Sequence, residues 1–120
     1  MFQSKATIMV RKANELVSVL DVKGEINAFA ENSLMDAYSI AVANGTKIIL
    51  LNFSGLEYMN SSGIGLLVTL LIRARRQNQR LMAYGLSSHY RQIFELTRLN
   101  EAIAVYSSED EAMASMGVLA

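Results

Sequence analysis

The sequence predicts one α/β domain, in which a four- to five-stranded and mostly parallel sheet is packed by about four helices. The chain has 120 residues, of which 52% are hydrophobic and 18% charged, and this suits one compact domain with a real core. Strand-like and helix-like segments alternate along it, as in sheets with helical crossovers. The run KIILLNF (47–53) is almost wholly apolar, so we expect a central strand buried on both faces.

The chain is predicted to open with a hairpin. Residues 7–11 and 16–22 are short segments rich in β-branched side chains, and the polar run KANE (12–15) separates them. Two such segments around a short polar connection are typical of antiparallel strands. GEIN (24–27) then leads away from the second strand.

A first helix is expected over residues 28–44. Its apolar positions recur at helical spacing and form one stripe, which consists of Leu34, Tyr38, Ala41 and Val42. Asn44 and Gly45 are typical of a helix C-terminus. The central strand 47–53 follows directly after them.

The second half of the chain continues the alternation. We expect helices over 62–80 and 88–99, strands over 81–86 and 103–106, and a terminal helix opened by the capping box SEDE (108–111). The first half of helix 62–80 is apolar almost all round, so it should be deeply buried. The predicted order is β-β-α-β-α-β-α-β-α, with right-handed crossovers.

Composition excludes several classes of function. Lys plus Arg and Asp plus Glu each number 11, and a chain without net charge is a poor candidate for bulk capture of nucleic acid or anionic lipid. The absence of cysteine excludes disulfides and thiolate metal sites. Residues 1–15 lack the apolar core of a secretory signal, and the longest apolar run, 64–72, is too short to span a bilayer. We therefore expect a cytoplasmic protein without membrane insertion.

The strongest candidate site is NSSGIG (60–65), where the central strand leads into a helix with two serines at its start. A helix N-terminus offers unpaired N–H groups and the positive end of the macrodipole. Local chemistry favours an ordinary capped helix, because serine and asparagine are both common caps, and the alternative is a phosphorylation switch. Gly63 and Gly65 are expected to let a partner or a phosphate approach, although the G-x-x-x-x-G-K nucleotide signature is absent.

Other candidate residues favour ordinary structural roles. Four arginines end the helix 62–80 and are expected to complement its macrodipole, namely Arg73, Arg75, Arg76 and Arg80. His89 is the only histidine and is expected on the surface. No His, Asp or Glu cluster has metal-ligand spacing, and no nucleophile, base and orienting group are indicated. The sequence therefore predicts neither an enzyme nor a bound cofactor or metal.

The chain resembles the STAS domain of the anti-sigma factor antagonist (anti-anti-sigma factor) family over nearly its whole length. The resemblance is carried by GEIN (24–27), by KIILLNFSGLEYMNSSGIGLL (47–67), by Gly85, by SHYRQIFELTRL (88–99) and by YSSEDEA (106–112). It implies a single STAS domain over residues 1–120. It also implies a cytoplasmic regulator that binds no nucleic acid and frees a sigma factor by binding its anti-sigma factor.

The resemblance implies a switch at Ser62. In the family the anti-sigma factor has a histidine-kinase-like ATPase fold and is also a serine kinase, which phosphorylates the second serine of a D-S-S-G motif. The phosphorylated form releases the partner, and a PP2C-type phosphatase restores binding. Carried over by position, the partner-binding residues are Asn27, Asn60, Ser61, Ser62, Gly63 and Ile64.

Three positions depart from the family pattern. Asn60 and Asn27 stand where aspartates are usual; asparagine caps helices as well as aspartate does, so the fold should survive while the partner surface loses two carboxylates. Arg98 stands where glycine is usual, and because a left-handed cap disfavours a side chain, we expect this helix to end differently.

Two other functions stay open for a STAS domain. One is a subunit of a membrane transport or lipid-export assembly, and the other is a small-molecule or nucleotide sensor that uses the loop from Gly63 to Gly65.

Overall fold

The computed structural model describes residues 6–43 and 45–117. Its elements, in chain order, are β1 (Thr7–Lys12), β2 (Val17–Ile26), a 3-10 turn (Ala28–Ala30), α1 (Glu31–Val42), β3 (Ile48–Met59), α2 (Ser61–Arg76), β4 (Arg80–Tyr84), α3 (Ser88–Leu96), α4 (Leu99–Ala102), β5 (Ala104–Tyr106) and α5 (Glu109–Ser115). The strands form one sheet in the order β1-β2-β3-β4-β5. β1 is antiparallel to β2, and the three remaining pairs of neighbouring strands are parallel. The predicted fold class is confirmed, with α4 as an additional short helix.

The central strand β3 is covered on both faces. Ile49, Leu50 and Leu51 are fully buried, and successive residues of a strand point to opposite faces. Ile49 and Leu51 belong to the main core, which lies beneath α1, α2 and α3. Leu50 belongs to a smaller cluster that includes Ala112 and Met113 of α5. The two-sided burial predicted for residues 47–53 is therefore confirmed.

β2 and β3 are longer than predicted. The expected strands ended at residues 22 and 53, whereas β2 continues to Ile26 and β3 to Met59. The extra residues pair with one another, as in Lys23↔Gly55 and Ile26↔Met59, through two register shifts. Such bulges are stabilised by pairing between distant segments, which local residue preferences do not reveal.

α2 ends four residues earlier than predicted, at Arg76. Asn78 has a φ of 56°, which turns the chain away from the helix, and the N–H of Gln79 donates to the carbonyl of Ala74 at 2.9 Å. The buried side chain of Gln79 accepts from the Tyr38 hydroxyl at 2.7 Å and donates to the carbonyl of Thr46 at 3.1 Å. Arg80 consequently opens β4 and does not belong to the helix.

The first predicted helix begins as a 3-10 turn and becomes α-helical only at Glu31. Leu34, Tyr38 and Ala41 of its predicted stripe are buried, and Val42 is half-buried. Gly45 has the positive φ, 74°, of a helix end. Asn44, the other residue of the predicted stop signal, lies outside the described residues.

The end of α3 differs from the expectation. α3 stops at Leu96, and Arg98 adopts the left-handed conformation, with a φ of 62° and a ψ of 17°. The expectation that arginine would change this helix end is wrong, because the residue takes the conformation in which glycine is usual. The chain re-enters a helix at once, in α4.

The terminal helix α5 begins at the predicted N-cap Ser108, but only half of the predicted capping box forms, because the Glu111 side chain bonds the residue before the N-cap. The N–H of Glu111 donates to Ser108 Oγ at 3.1 Å, and the Glu111 carboxylate accepts from the N–H of Ser107 at 3.1 Å. Among the helices of residues 6–43 and 45–117, none has both the length and the apolar character that crossing a membrane requires.

Candidate functional site

The predicted site lies at the edge of the sheet where β2 and β3 end and α2 begins. Asn60 is the N-cap of α2: its side-chain Oδ1 accepts from the N–H of Gly63 at 2.9 Å. The backbone N–H of Asn60 donates to the carbonyl of Ile26, the last residue of β2, at 3.3 Å. One residue thus satisfies an N–H of the first helical turn and joins the start of α2 to the neighbouring strand.

Gly63 is required by packing. A Cβ atom at this position would lie 2.3 Å from the carbonyl oxygen of Ile26 and 2.7 Å from Met59 Cγ. Gly63 is buried, so the space left by its missing side chain is filled from within the domain. Gly65 differs, because it is exposed and has no atom within 4 Å of an added Cβ.

Ser61 and Ser62 are the first two residues of α2, and both are exposed. Asn60 supplies the cap, so capping does not account for either serine. Within the described part of the chain neither hydroxyl has a hydrogen-bond partner. The two hydroxyls are therefore accessible at the positive end of a 16-residue helix.

Asn27 lies beside this helix start and caps the 3-10 turn. Its Oδ1 accepts from the N–H of Phe29 at 2.9 Å, so asparagine serves as a cap here as it does at position 60. Because Ile26 bonds Asn60, the neighbouring residue Asn27 is brought to the same edge of the sheet as the serines. Ile64 is half-buried, and its N–H donates to the carbonyl of Asn60 at 3.0 Å.

Two exposed aromatic residues at this edge were not predicted from the sequence. Phe29 is 56% exposed and Tyr58 is 53% exposed, and they flank the ends of β2 and β3. Aromatic side chains are enriched at protein interfaces. Phe29 was missed because it falls within a segment read as helix, and Tyr58 because β3 was expected to end before it.

A third element fixes the end of β3. The N–H of Met59 donates to the hydroxyl of buried Tyr90 at 2.8 Å, which links α3 to the residue before Asn60.

His89 is exposed, as expected, and its ring meets the ring of Tyr90 edge-on with centroids 4.8 Å apart. In residues 6–43 and 45–117, no three His, Asp or Glu side chains are grouped so that they could hold a metal ion.

A separate polar cluster lies on the α5 face of the sheet. Arg11 Nε donates to Asp21 at 2.8 Å, and the same guanidinium bonds Glu109 of α5. The Arg11 hydrogen bond lowers the pKa of Glu109. Burial would raise the pKa of Asp21, but hydrogen bonds from Arg11 and Asn52 lower it. Burial and the bond to Glu109 raise the pKa of Tyr84 to about 12, and the cluster joins α5 to the hairpin.

Comparison with known proteins identifies the family. Residues 8–112 match the model of the STAS domain. The chain is 27% identical over 90 residues to the anti-sigma-B factor antagonist of Listeria monocytogenes, covering 75% of this chain and 79% of that protein. A crystal structure of an anti-sigma factor antagonist from Mycobacterium paratuberculosis is 22% identical, with a TM-score of 0.78 over 95% of this chain and 97% of that one.

A second similar structure is that of the Bacillus cell fate determinant SpoIIAA in its phosphorylated form. It is 22% identical, with a TM-score of 0.70 over 92% of this chain and 99% of that one. These likenesses agree with the five-stranded sheet described above. The family model extends from the second residue of β1 to Ala112 in α5, and the chain belongs to the STAS domain family.

Proposed function

We propose that this protein is an anti-sigma factor antagonist of a partner-switching pathway and has no catalytic activity of its own. Its unphosphorylated form binds an anti-sigma factor that is also a serine kinase, and phosphorylation of Ser62 releases that partner. The names of the relatives in Listeria and Mycobacterium support the regulatory class. The proposal further includes a histidine-kinase-like ATPase fold for the partner and a PP2C-type phosphatase that restores binding. It also includes action in the cytoplasm and a single domain over residues 1–120.

The observation that carries the proposal is the position of the Ser62 hydroxyl. It is exposed on the first turn of α2, and Asn60 already performs the capping that would otherwise explain a serine there. The loop before it is held by the bond from Asn60 to Ile26 and by the close contact of Gly63. A kinase would therefore meet a fixed acceptor, and a partner a fixed surface.

The switch follows from electrostatics. A phosphoserine adds roughly 1.5 to 2 negative charges, which the positive end of α2 tolerates in the free protein. In a complex, the same charge would be desolvated against a surface shaped for a hydroxyl, and leaving it unpaired costs several kcal/mol. About 1.4 kcal/mol already changes affinity tenfold. One group can thus end binding without unfolding the domain.

The partner surface is expected to surround Ser62. It comprises the six residues Asn27, Asn60, Ser61, Ser62, Gly63 and Ile64, and we include in it the exposed aromatic residues Phe29 and Tyr58. A specific interface buries roughly 1,200–2,000 Å² and depends on a few central contacts. Because Gly63 is buried, we expect it to contribute to partner binding indirectly, by allowing the start of α2 to pack closely, and through its backbone atoms.

The experiment is phosphorylation by the histidine-kinase-like ATPases of the same organism, with phosphopeptide mapping of the product. Ser62→Ala is expected to abolish incorporation and to keep binding that ATP no longer reverses. Ser61→Ala is the matched control, since it removes the adjacent exposed hydroxyl and should leave phosphorylation intact. Phosphate mapped to Ser61, or ATP-sensitive binding of Ser62→Ala, would contradict the assignment.

A further inference from the structure

The edge of the sheet opposite Ser62 carries a set of cations that we call the basic end, formed by Lys47, Arg73, Arg75, Arg76 and Arg80. The N–H of Lys47 donates to the carbonyl of Leu16 at 2.8 Å, and the N–H of Arg80 donates to the carbonyl of Lys47 at 3.0 Å. The strand starts therefore lie side by side. Since β3 and β4 are parallel, α2 returns across the sheet and brings its last turn, with three arginines, to the same edge.

The charge of the basic end is not neutralised within the described residues. All five side chains are exposed, and none has a carboxylate partner in residues 6–43 and 45–117. Glu101 lies near this edge and its carboxylate is 3.8 Å from Arg98, which is not part of the basic end. The macrodipole accounts for arginines in the last turn of α2, but not for Lys47, which precedes β3, or for Arg80, which is the first residue of β4.

The charges of this neutral chain are unevenly distributed, since five of its cations lie together at the basic end. Glu25, Glu31 and Glu57 lie at or next to the ends of β2 and β3, on the side of Ser62. α2 separates the two ends by about 24 Å, at about 1.5 Å per residue. A negatively charged surface therefore attracts one end of the domain and repels the other, which orients the protein.

Exposed aliphatic side chains accompany these cations. Leu16 is 49% exposed beside Lys47, and Ile72 is 47% exposed one turn before Arg75 and Arg76. Cations mixed with aliphatic side chains match the boundary of an anionic bilayer, which offers lipid phosphates and an apolar layer beneath them. Nucleic acid binds protein cations through its phosphates, and its bases stack on aromatic side chains of the protein. It therefore offers little to exposed Leu and Ile side chains.

We propose that the basic end binds peripherally to the surface of a bilayer rich in anionic phospholipid, without insertion of any helix. In this orientation Ser62 and the acids Glu25, Glu31 and Glu57 lie on the side away from the lipid, so the partner surface stays accessible. The inference does not rest on the proposed function, since it concerns the opposite end of the domain and the protein alone.

The test is sedimentation of the purified chain with vesicles of pure phosphatidylcholine and with vesicles in which about a third of the lipid is phosphatidylglycerol. We expect binding only to the anionic vesicles, weakening steeply as salt is raised. Arg75→Gln with Arg76→Gln should weaken binding at least tenfold, because glutamine keeps the helix and removes two cations. Ile72→Ser should weaken it several-fold, whereas Met9→Ser, at an exposed site on β1, should not.

The matched charge control is Lys23→Gln with Arg91→Gln, which changes the net charge equally but lies outside the basic end. If this pair weakens binding as much as the Arg75 and Arg76 pair, the effect is one of net charge and the proposal is wrong. Equal binding to neutral vesicles, or no binding at low salt, would also overturn it. Tighter binding to a short DNA duplex than to anionic vesicles would assign the basic end to nucleic acid instead. Thermal melts establish that each variant is folded.

Discussion

The carbonyl oxygen of Ile26 occupies the space that a Cβ atom on Gly63 would need, at a distance of 2.3 Å. The contact joins the last residue of β2 to the first turn of α2, and the bond from Asn60 to the same carbonyl reinforces it. Ser62 lies between these two points, so its position depends on a contact that only glycine allows.

We expect Gly63→Ala to destabilise the domain by about 1–3 kcal/mol, as overpacking of a close contact does. The neighbouring glycine gives a matched control. An added Cβ on Gly65 meets nothing within 4 Å, and alanine within a helix is favoured over glycine by roughly 0.5–1 kcal/mol. Gly65→Ala should therefore stabilise. Urea denaturation of the two variants decides the matter, and equal effects would show that Gly63 is not held by this contact.

Arg98→Gly is expected to stabilise the protein. A left-handed residue with a side chain costs roughly 1–2 kcal/mol, whereas glycine loses roughly 0.5–1 kcal/mol of chain entropy on folding, so the net gain should be about 0.5–1 kcal/mol. The ion pair lost with Glu101 is 82% and 67% exposed at its two side chains and contributes little.

Asn78→Gly is the control for this prediction. Asn78 also has a positive φ, 56°, but asparagine tolerates the left-handed region better than arginine does. Its gain in denaturation free energy should be smaller. A larger gain at position 78 than at position 98 would contradict the strain assigned to Arg98.

The alternation of strands and helices and the central, two-sided burial of β3 could be predicted because their signals are local. The apolar run of β3 and the amphipathic stripe of α1 are properties of consecutive residues, and the structure confirms both. The far ends of β2 and β3 could not be predicted in this way. Their pairing through Lys23↔Gly55 and Ile26↔Met59 joins residues more than thirty positions apart, and only the folded sheet makes Tyr58 part of a strand.

The candidate site was partly predictable for the same reason. The serine pair and its glycines are contiguous in the sequence, and the structure places Asn27 beside them through the bond between Ile26 and Asn60. Which residue caps α2 was not decided by the sequence, since Asn60, Ser61 and Ser62 are all good caps. The observed bond from Gly63 to Asn60 resolves this and leaves the serines exposed.

Stability should fall in acid through the cluster around Arg11. The pKa values of Glu109 and Asp21 are lowered in the folded protein, so these carboxylates stabilise it above their unfolded pKa of about 4 and lose that effect as pH falls through the folded values. Glu109→Gln should lower the unfolding free energy at pH 7 by less than about 1 kcal/mol, since Arg11 is 43% exposed and solvent screens the pair.

The difference between wild type and Glu109→Gln should shrink below about pH 4, where the wild-type carboxylates become protonated. Denaturation midpoints measured across this range test the prediction. Glu101→Gln is the control, because its exposed pair with Arg98 is 3.8 Å long and should add little at any pH. A constant difference between pH 3 and 7 would show that Glu109 acts through packing alone.

Ser62→Asp should bind the anti-sigma partner at least about tenfold more weakly than wild type, although one carboxylate only partly mimics a phosphate. Ser61→Asp places the same charge one residue away, about 100° around the helix, and should weaken binding less. Calorimetric titration of both variants gives the comparison. Equal losses would indicate general charge repulsion, and unchanged binding of Ser62→Asp would exclude Ser62 from the interface centre.

Asn60→Asp tests whether the missing carboxylates affect partner choice. The fold should be unchanged, because aspartate can accept the bond from Gly63 as asparagine does and its charge suits the start of α2. Electrostatic complementarity governs partner choice and association rate more than affinity. We therefore expect a modest, salt-dependent change in association or phosphorylation rate. Asn60→Ala, which removes the cap, should instead cost about 1 kcal/mol of stability. Stopped-flow binding at low and high salt separates the effects, and rates identical to wild type in both would show that position 60 plays no part in partner discrimination.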